Sequence, residues 1–502
     1  MRTQKTAKNL VVSTILTTII ALIGLVKIKV FLNYLGDEAT GIYQLFSQIL
    51  SYISLVDAGL TSSLLYSLYK PVSENNTKKI NQILKGGRGF YNKIAVIIII
   101  IGVLVSFKID FFLAEYTLSL WYIQLCFVLF IVASSINYFV TSRKVLLEAK
   151  QNLYKVHLVV YGTMIAKGLL EILLLILNLK LLSLMILFIV ISIVQNLIIV
   201  FVSKKDYPEL TYKDVDADNT FKKQTKNLIA QKVASIVFNN IDVILISKYI
   251  NSASVVIYTS YMYIVNSLKN IVKKIGSSSL ASVGNLLVTE KVKARDIFYE
   301  YNSMCFYIAN ILCVPLMLVL TSFVAIFYGD AYTLSFLGSL LVVVILYFCI
   351  IEIPFDVYMS ALGYFDKVKK CIVFQSVVNL VLSLVLLFVM GIEGVLLATV
   401  ISYLAGQFAM YPKILNDNYF KDYKIKYYSN AFRLSIIGVI SYLLMFIVIR
   451  DIKVVNLFWW FLLGVVTFGF NFILVTLYYK LINQLAFFER FKNLLVNRRS
   501  KK

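Results

Sequence analysis

Residues 181–205 read LLSLMILFIVISIVQNLIIVFVSKK. From Leu181 to Val202 no side chain is ionisable, and the run ends on Lys204 and Lys205. At about 1.5 Å per residue such a stretch spans the roughly 30 Å of a bilayer's hydrocarbon core. Backbone groups in lipid must be satisfied within their own segment, so the run is read as a membrane helix followed by a basic flank. The same window, moved outward in both directions, predicts helices at 10–32, 41–66, 89–107, 119–140, 156–178, 181–203, 228–249, 252–272, 303–326, 333–357, 370–390, 392–411, 431–450 and 454–478. A transmembrane barrel would instead show short strands of alternating polarity. The expected fold class is an all-α integral membrane protein.

Composition agrees. Of 502 residues, 60% are hydrophobic and 15% charged, and the mean hydropathy is +0.82. Soluble domains are about 45–50% apolar, so the surplus must face lipid. Lys+Arg outnumber Asp+Glu by 49 to 26. In a soluble chain that excess would suggest nucleic acid; among spans it reports topology, and no nucleic-acid partner is expected. With the N-terminus placed in the cytoplasm, 40 of the 49 cations fall in cytoplasmic segments or at the span ends beside them. Five (Lys108, Lys180, Lys248, Arg450, Lys453) fall outside, and Lys27, Lys29, Lys167 and Lys232 lie within spans. That asymmetry predicts both ends inside. Trp121, Trp459 and Trp460 fall at expected outer helix ends, where amphipathic rings settle.

Cys126, Cys305, Cys313, Cys349 and Cys371 all lie in or beside apolar runs without zinc or redox spacing, which predicts neither disulfide nor metal site. His157 is the sole histidine and is read as a surface group at a helix start. The first apolar run is too long for a signal-peptide core and is read as a span.

A shift of 215 residues aligns Tyr34 with Tyr249, Leu35 with Ile250, Ile42 with Ile257 and Tyr43 with Tyr258. Six helices per copy keep both copies in one orientation, as in parallel-repeat transporters. The expected organisation is an N-lobe at 1–203, a cytoplasmic linker at 204–227, a C-lobe at 228–411, a further helix pair with its preceding loop at 412–479, and a basic tail at 480–502.

Charges inside a bilayer cost roughly 2.5–3.5 kcal/mol on insertion scales and usually face a partner or a cavity. Lys232, Ser235, Asn239 and Asp242 share one helical face, as do Ser13, Thr17, Gly24 and Lys27. The 215 shift lays Thr17 on Lys232, Gly24 on Asn239 and Lys27 on Asp242. Ser47, Ser51, Ser54 and Asp57 follow on the second helix. The candidate cavity residues are Lys27, Asp57, Lys232, Asn239, Asp242, Tyr258, Tyr261 and Asn266. The serines and threonines are expected to bond within or between helices. Tyr258, Tyr261 and Tyr263 suit either stacking on sugar rings or packing. Lys167 and Glu171, four apart, are expected to form a structural ion pair. Glu352 and Asp356 are placed at a cytoplasmic helix end beside Pro354, and Pro315 and Pro354 are expected to kink their helices.

The run Phe31-Leu32-Asn33-Tyr34-Leu35-Gly36-Asp37-Glu38-Ala39-Thr40-Gly41-Ile42-Tyr43 resembles the opening of polysaccharide exporters, as do Leu68-Tyr69-Lys70-Pro71, 239–247 and Ala281-Ser282-Val283-Gly284-Asn285. These motifs resemble the polysaccharide transport (Wzx-like) family of the multidrug/oligosaccharidyl-lipid/polysaccharide (MOP) flippase superfamily. The resemblance implies two pseudo-symmetric six-helix lobes plus two C-terminal helices. It also implies a flippase for undecaprenyl-pyrophosphate-linked oligosaccharide repeat units in the bacterial cytoplasmic membrane, serving capsule, exopolysaccharide or teichoic-type glycan synthesis. Lys27 and Lys232 would then face the diphosphate. Asp57 or Asp242 would bind a coupling H⁺ or Na⁺, with no other cofactor, and the partners would be membrane lipids, a polysaccharide polymerase and chain-length or export proteins. The related lipid II flippases are richer in arginine at these positions. The competing readings are a drug/cation antiporter of the same superfamily, which would want a mainly acidic cavity, and a membrane glycan polymerase or glycosyltransferase, which would want a large outside loop. A lipid scramblase or sporulation-type flippase is a fourth.

Overall fold

The computed structural model describes residues 2–57, 60–208, 215–219, 240–421, 424–450, 452 and 454–488. Among them the secondary structure is helical, without strands. Eleven helices among the described residues are long and apolar enough to cross a membrane. The chain is a multi-pass membrane protein.

The first of the eleven, Val12–Ile53, takes in most of one expected crossing and the first half of the next. They part at Gly36, whose φ of 81° and ψ of 175° lie outside the helical region. Glycine reaches positive φ without a Cβ penalty, so the chain can turn between two helices with almost no loop. The second expected crossing is interrupted again: helix gives way to a 3-10 turn at Ser54–Asp57 and resumes at Leu60. Of the expected 228–249 crossing, residues 240–249 are described and are helical. The expected 252–272 crossing lies inside the longer helix Ser252–Thr289.

The segments between expected crossings at 67–88 and 273–302 are largely helical. Helix Leu60–Ser73 is followed at once by Thr77–Ser106, with Asn75 at φ 52° and the Asn76 side chain accepting from Lys79 N at 3.0 Å. Helix Ser252–Thr289 is separated from Lys291–Phe327 by Glu290 alone. An apolar window stops at the edge of the hydrocarbon, but nothing obliges the helix to stop there.

The 215-residue repeat is visible in where helices break. Gly36 corresponds to Asn251, which separates 240–249 from Ser252–Thr289. Helix Leu120–Ile136 passes through a turn at Asn137–Val140 into Thr141–Ala149. One repeat later, Phe336–Ile351 yields at Glu352 to Ile353–Ala361. Thr259 Oγ1 donates to Gln44 Oε1, and these two residues are 215 apart. A residue meets its own repeat mate only beside the axis relating the copies, so this contact supports the register independently.

By Cα proximity the chain divides into two compact units, Met1–Ser260 and Tyr261–Lys502. In the first, the N-terminal helix packs on Leu153–Ile176, and Leu120–Ile136 packs on Thr77–Ser106 and Leu181–Asp206. Residues 215–219 are held on the helix Thr77–Ser106. Lys79 pairs with Asp218 at 2.8 Å, Lys85 Nζ donates to Val215 O at 2.8 Å, and a Cβ at Gly86 would stand 2.0 Å from Asp218 O. In the second unit, Lys291–Phe327 packs on Phe336–Ile351 and on the last two helices, Lys424–Ile449 and Leu457–Leu481. Pro315 prepares that docking. Proline has no N–H for the carbonyl four residues earlier, Ile311 O. The Asn471 amide donates to Asn310 O at 3.0 Å and to Ile311 O at 3.3 Å, and the Asn471 Oδ1 accepts from Ser441 at 2.6 Å. The helical assignment runs through Pro315, whereas Pro354 opens a new helix segment, where its missing N–H costs least.

Candidate functional site

The N-terminal helix packs on Leu153–Ile176 beside Gly168, where a Cβ would stand 2.8 Å from Ile23 Cγ2. One turn further along both helices, Lys27 Nζ meets Glu171 Oε2 at 2.9 Å. The Glu171 side chain is 1% exposed. Its other oxygen accepts from the Tyr43 hydroxyl at 3.2 Å and lies 3.6 Å from Lys167 Nζ. The ammoniums also rest on rings: Lys27 sits 5.0 Å from the Phe31 centroid and 5.1 Å from that of Tyr43, and Lys167 sits 3.3 Å from that of Phe188. Desolvated cation–π contacts contribute up to about 2 kcal/mol each. Removing one partner of a buried ion pair costs roughly 3–5 kcal/mol, because the other charge is left unmatched. Two ammoniums thus share one carboxylate.

The Lys167–Glu171 contact joins neighbours on one helix. The Lys27–Glu171 contact spans 144 positions of sequence, so no local spacing announces it. The motif around Gly36 takes on structural meaning here. Gly36 breaks the helix, and the Glu38 carboxylate accepts from Thr117 N at 2.7 Å and Leu118 N at 3.1 Å, and from the Thr117 hydroxyl. A Cβ on Gly41 would fall 2.0 Å from Ser252 O, and Tyr43 reaches Glu171.

The second repeat uses the same tyrosine differently. Tyr258, the mate of Tyr43, donates to Asp242 Oδ2 at 2.7 Å, and Asp242 is the mate of Lys27. Both are buried, and Tyr52 lies within electrostatic reach of the carboxylate. Tyr261 is also buried and its oxygen accepts from Leu334 N at 3.0 Å. Of the two readings of Tyr258 and Tyr261, this geometry favours packing over an open sugar platform. Asn266 is exposed on Ser252–Thr289. Lys232 and Asn239 lie outside the described residues, and Asp57 ends the 3-10 turn with its side chain outside them. Thr17, Ser51 and Ser54 return their hydroxyls to carbonyls of their own helix, at 2.6, 3.0 and 2.8 Å.

In the second unit Glu352 is buried. It stands at the break between Phe336–Ile351 and Ile353–Ala361, facing the π-helical turn Leu404–Phe408. With its amide turned to suit the surrounding acceptors, Gln407 donates to Glu352 at 2.8 Å and to Gln375 Oε1 at 3.3 Å. Gly406 makes room, since a Cβ there would stand 2.8 Å from the Gln375 Cβ. The charge on Glu352 is felt with those of Lys269 and Lys273, and Lys273 also pairs with Asp356 at 3.3 Å. Nothing in the local sequence announces this cluster. The five cysteines are free and buried.

No family model matches the chain, and no curated protein matches it by sequence. Solved structures do match. The lipid II flippase MurJ in an inward closed conformation superposes with a TM-score of 0.71 at 14% identity, covering 94% of this chain and 99% of MurJ. A multidrug resistance MATE family transporter of the MOP superfamily, in an inward-facing conformation, gives 0.66 at 14% identity over 80% of this chain and 96% of that one. A MATE structure in a bent conformation gives 0.59 at 12% identity over 82% and 94%. The chain therefore has the fold of MOP-superfamily flippases and transporters.

Proposed function

We propose that this protein is a flippase that carries undecaprenyl-pyrophosphate-linked oligosaccharide repeat units from the inner to the outer leaflet of a bacterial cytoplasmic membrane. The observation that carries the reading is the extent of the match. The MurJ superposition takes in 94% of the chain, whereas the MATE superpositions quoted take in 80% and 82%. A lipid flippase architecture thus accounts for more of this chain than a drug antiporter architecture does. The sequence motifs at 31–43 and 239–247 add the glycan-export character, and the lysine excess around Glu171 suits an anionic cargo better than a cationic drug.

The physics of the task fits. A diphosphate and hydrated sugars cannot cross hydrocarbon unaided, while a polyprenyl tail can remain in it. Lys27, with Lys232 nearer the cytoplasm, supplies counter-charge to the diphosphate, and the two repeats alternate access while both chain ends stay cytoplasmic. Asp57 or Asp242 takes a coupling H⁺ or Na⁺. The protein holds no catalytic centre of its own and works beside a polymerase and chain-length or export proteins. Depletion in the native cell tests this: lipid-linked repeat units should accumulate on the cytoplasmic leaflet. Unchanged levels, together with increased sensitivity to cationic drugs, would favour the antiporter instead.

A further inference from the structure

Resting on the flippase reading, we infer that Glu171 is an internal stand-in for the substrate's diphosphate, holding Lys27 and Lys167 while the site is empty and yielding them when the lipid pyrophosphate arrives. The argument begins with charge. The ion pairs joined at Glu171 bring two ammoniums to one carboxylate, so the cluster carries a net positive charge. A net charge in a low-dielectric setting seeks a counter-ion. The exposures say which group is open to one: Lys27 is 23% and Lys167 16% exposed, and Glu171 is 1% exposed. The cations can be reached and the anion cannot.

The cluster is also built to persist when empty. Phe31, Tyr43 and Phe188 place ring faces against the ammoniums, and Tyr43 donates to the carboxylate oxygen that Lys27 does not take. The second repeat shows that the fold does not need these charges. The mates of Lys167 and Glu171 are Leu382 and Leu386, both on the apolar helix Phe365–Met390. A lysine–glutamate pair present in one repeat and replaced by two leucines in the other, while the mate of Lys27 is the acid Asp242, serves something besides assembly. A stand-in of this kind lowers apparent affinity by the fraction of time that it leaves the cations free. It also speeds release, because the carboxylate reclaims the ammoniums as the diphosphate departs.

Purified full-length protein in proteoliposomes tests this with a polyprenyl-pyrophosphate oligosaccharide and, separately, inorganic pyrophosphate as probes. Glu171→Gln should bind both probes about tenfold more tightly if Lys27 is free about a tenth of the time in the native protein. KM and kcat for the lipid should then fall together. Glu171→Asp keeps the charge on a shorter arm and should shift affinity the same way by less, which guards against a misfolded amide variant. Unchanged or weaker binding of both probes by folded Glu171→Asp and Glu171→Gln overturns the stand-in role. If the native protein binds neither probe yet moves a cationic dye, the flippase reading itself falls, a result distinct from the first.

Discussion

The two repeats place a tyrosine at the same position and give it opposite surroundings. Tyr43 donates to Glu171, an acid from another helix that is already claimed by two lysines. Tyr258 donates to Asp242, an acid standing where the first repeat has Lys27. Geometry is kept while charge is inverted: the first copy is cationic and internally paired, the second anionic. A chain that duplicated a scaffold and then divided its labour would look like this, with one copy meeting an anionic headgroup and the other a coupling cation. The comparison also separates what the scaffold requires from what the function requires. The clasping tyrosine, the break at Gly36 or Asn251 and the break at Asn137 or Glu352 recur; the charges do not.

The sharpest way to break that comparison is to make the first copy resemble the second. Glu171→Leu alone should destabilise the purified protein by up to about 3–5 kcal/mol, because two half-buried ammoniums lose their buried partner. Lys27→Met, Lys167→Leu and Glu171→Leu together should recover most of that loss, as leucines already fill two of the three equivalent places in the second copy. Thermal unfolding in detergent measures both, and a triple variant no more stable than the single one would mean that the charges are part of the scaffold after all. Transport should stay lost in the triple variant.

The same exchange in the second copy is smaller. Tyr258→Phe removes a hydrogen bond to a buried carboxylate and should cost about 1.5–3 kcal/mol. Asp242→Asn should cost less, since an amide oxygen still accepts from Tyr258, but should remove the dependence of transport on an imposed H⁺ or Na⁺ gradient. A variant that keeps its gradient dependence would move the coupling role away from Asp242, with Asp57 next to be tried.

How much of this was legible in the sequence differs by level. Membrane crossings were, because a run such as 181–203 admits one structure in lipid. Helix ends were not, because a helix such as Lys291–Phe327 continues past the apolar window on its own hydrogen bonds. The Lys167–Glu171 pair was legible because four residues make one helical turn. Lys27–Glu171 was not, since a partner 144 positions away leaves no periodic trace. The repeat offset could have found part of it: aligning Lys27 with Asp242 shows that position 27 faces charge, though not whose. Glu352 does stand at a helix end, as a carboxylate beside a proline reads, but its burial leaves no local trace. Its cover comes from Gln407, on a π-helical turn that no local pattern announces.

A third way to press the comparison acts on the seam between the copies. A Cβ at Gly41 would fall 2.0 Å from the backbone oxygen of Ser252, which no rotamer change relieves. Gly41→Ala should therefore force the two helices apart and cost about 1–3 kcal/mol, as overpacking does.

The smallest effect is the most specific to the repeat. Thr259 Oγ1 donates to Gln44 Oε1, and the two are mates under the 215-residue offset. A neutral hydrogen bond of this kind contributes about 0.5–1.5 kcal/mol net. Gln44→Leu and Thr259→Val should each cost that much or less, and the double variant should cost little more than either single one, because both remove the same bond. A double-mutant cycle on thermal stability reads the coupling directly. Coupling near zero would place the two residues in separate surroundings and with them remove the contact that fixes where the repeat axis runs. Coupling of the expected size would mean that helices 41–53 and 252–260 hold each other through this repeat-related pair.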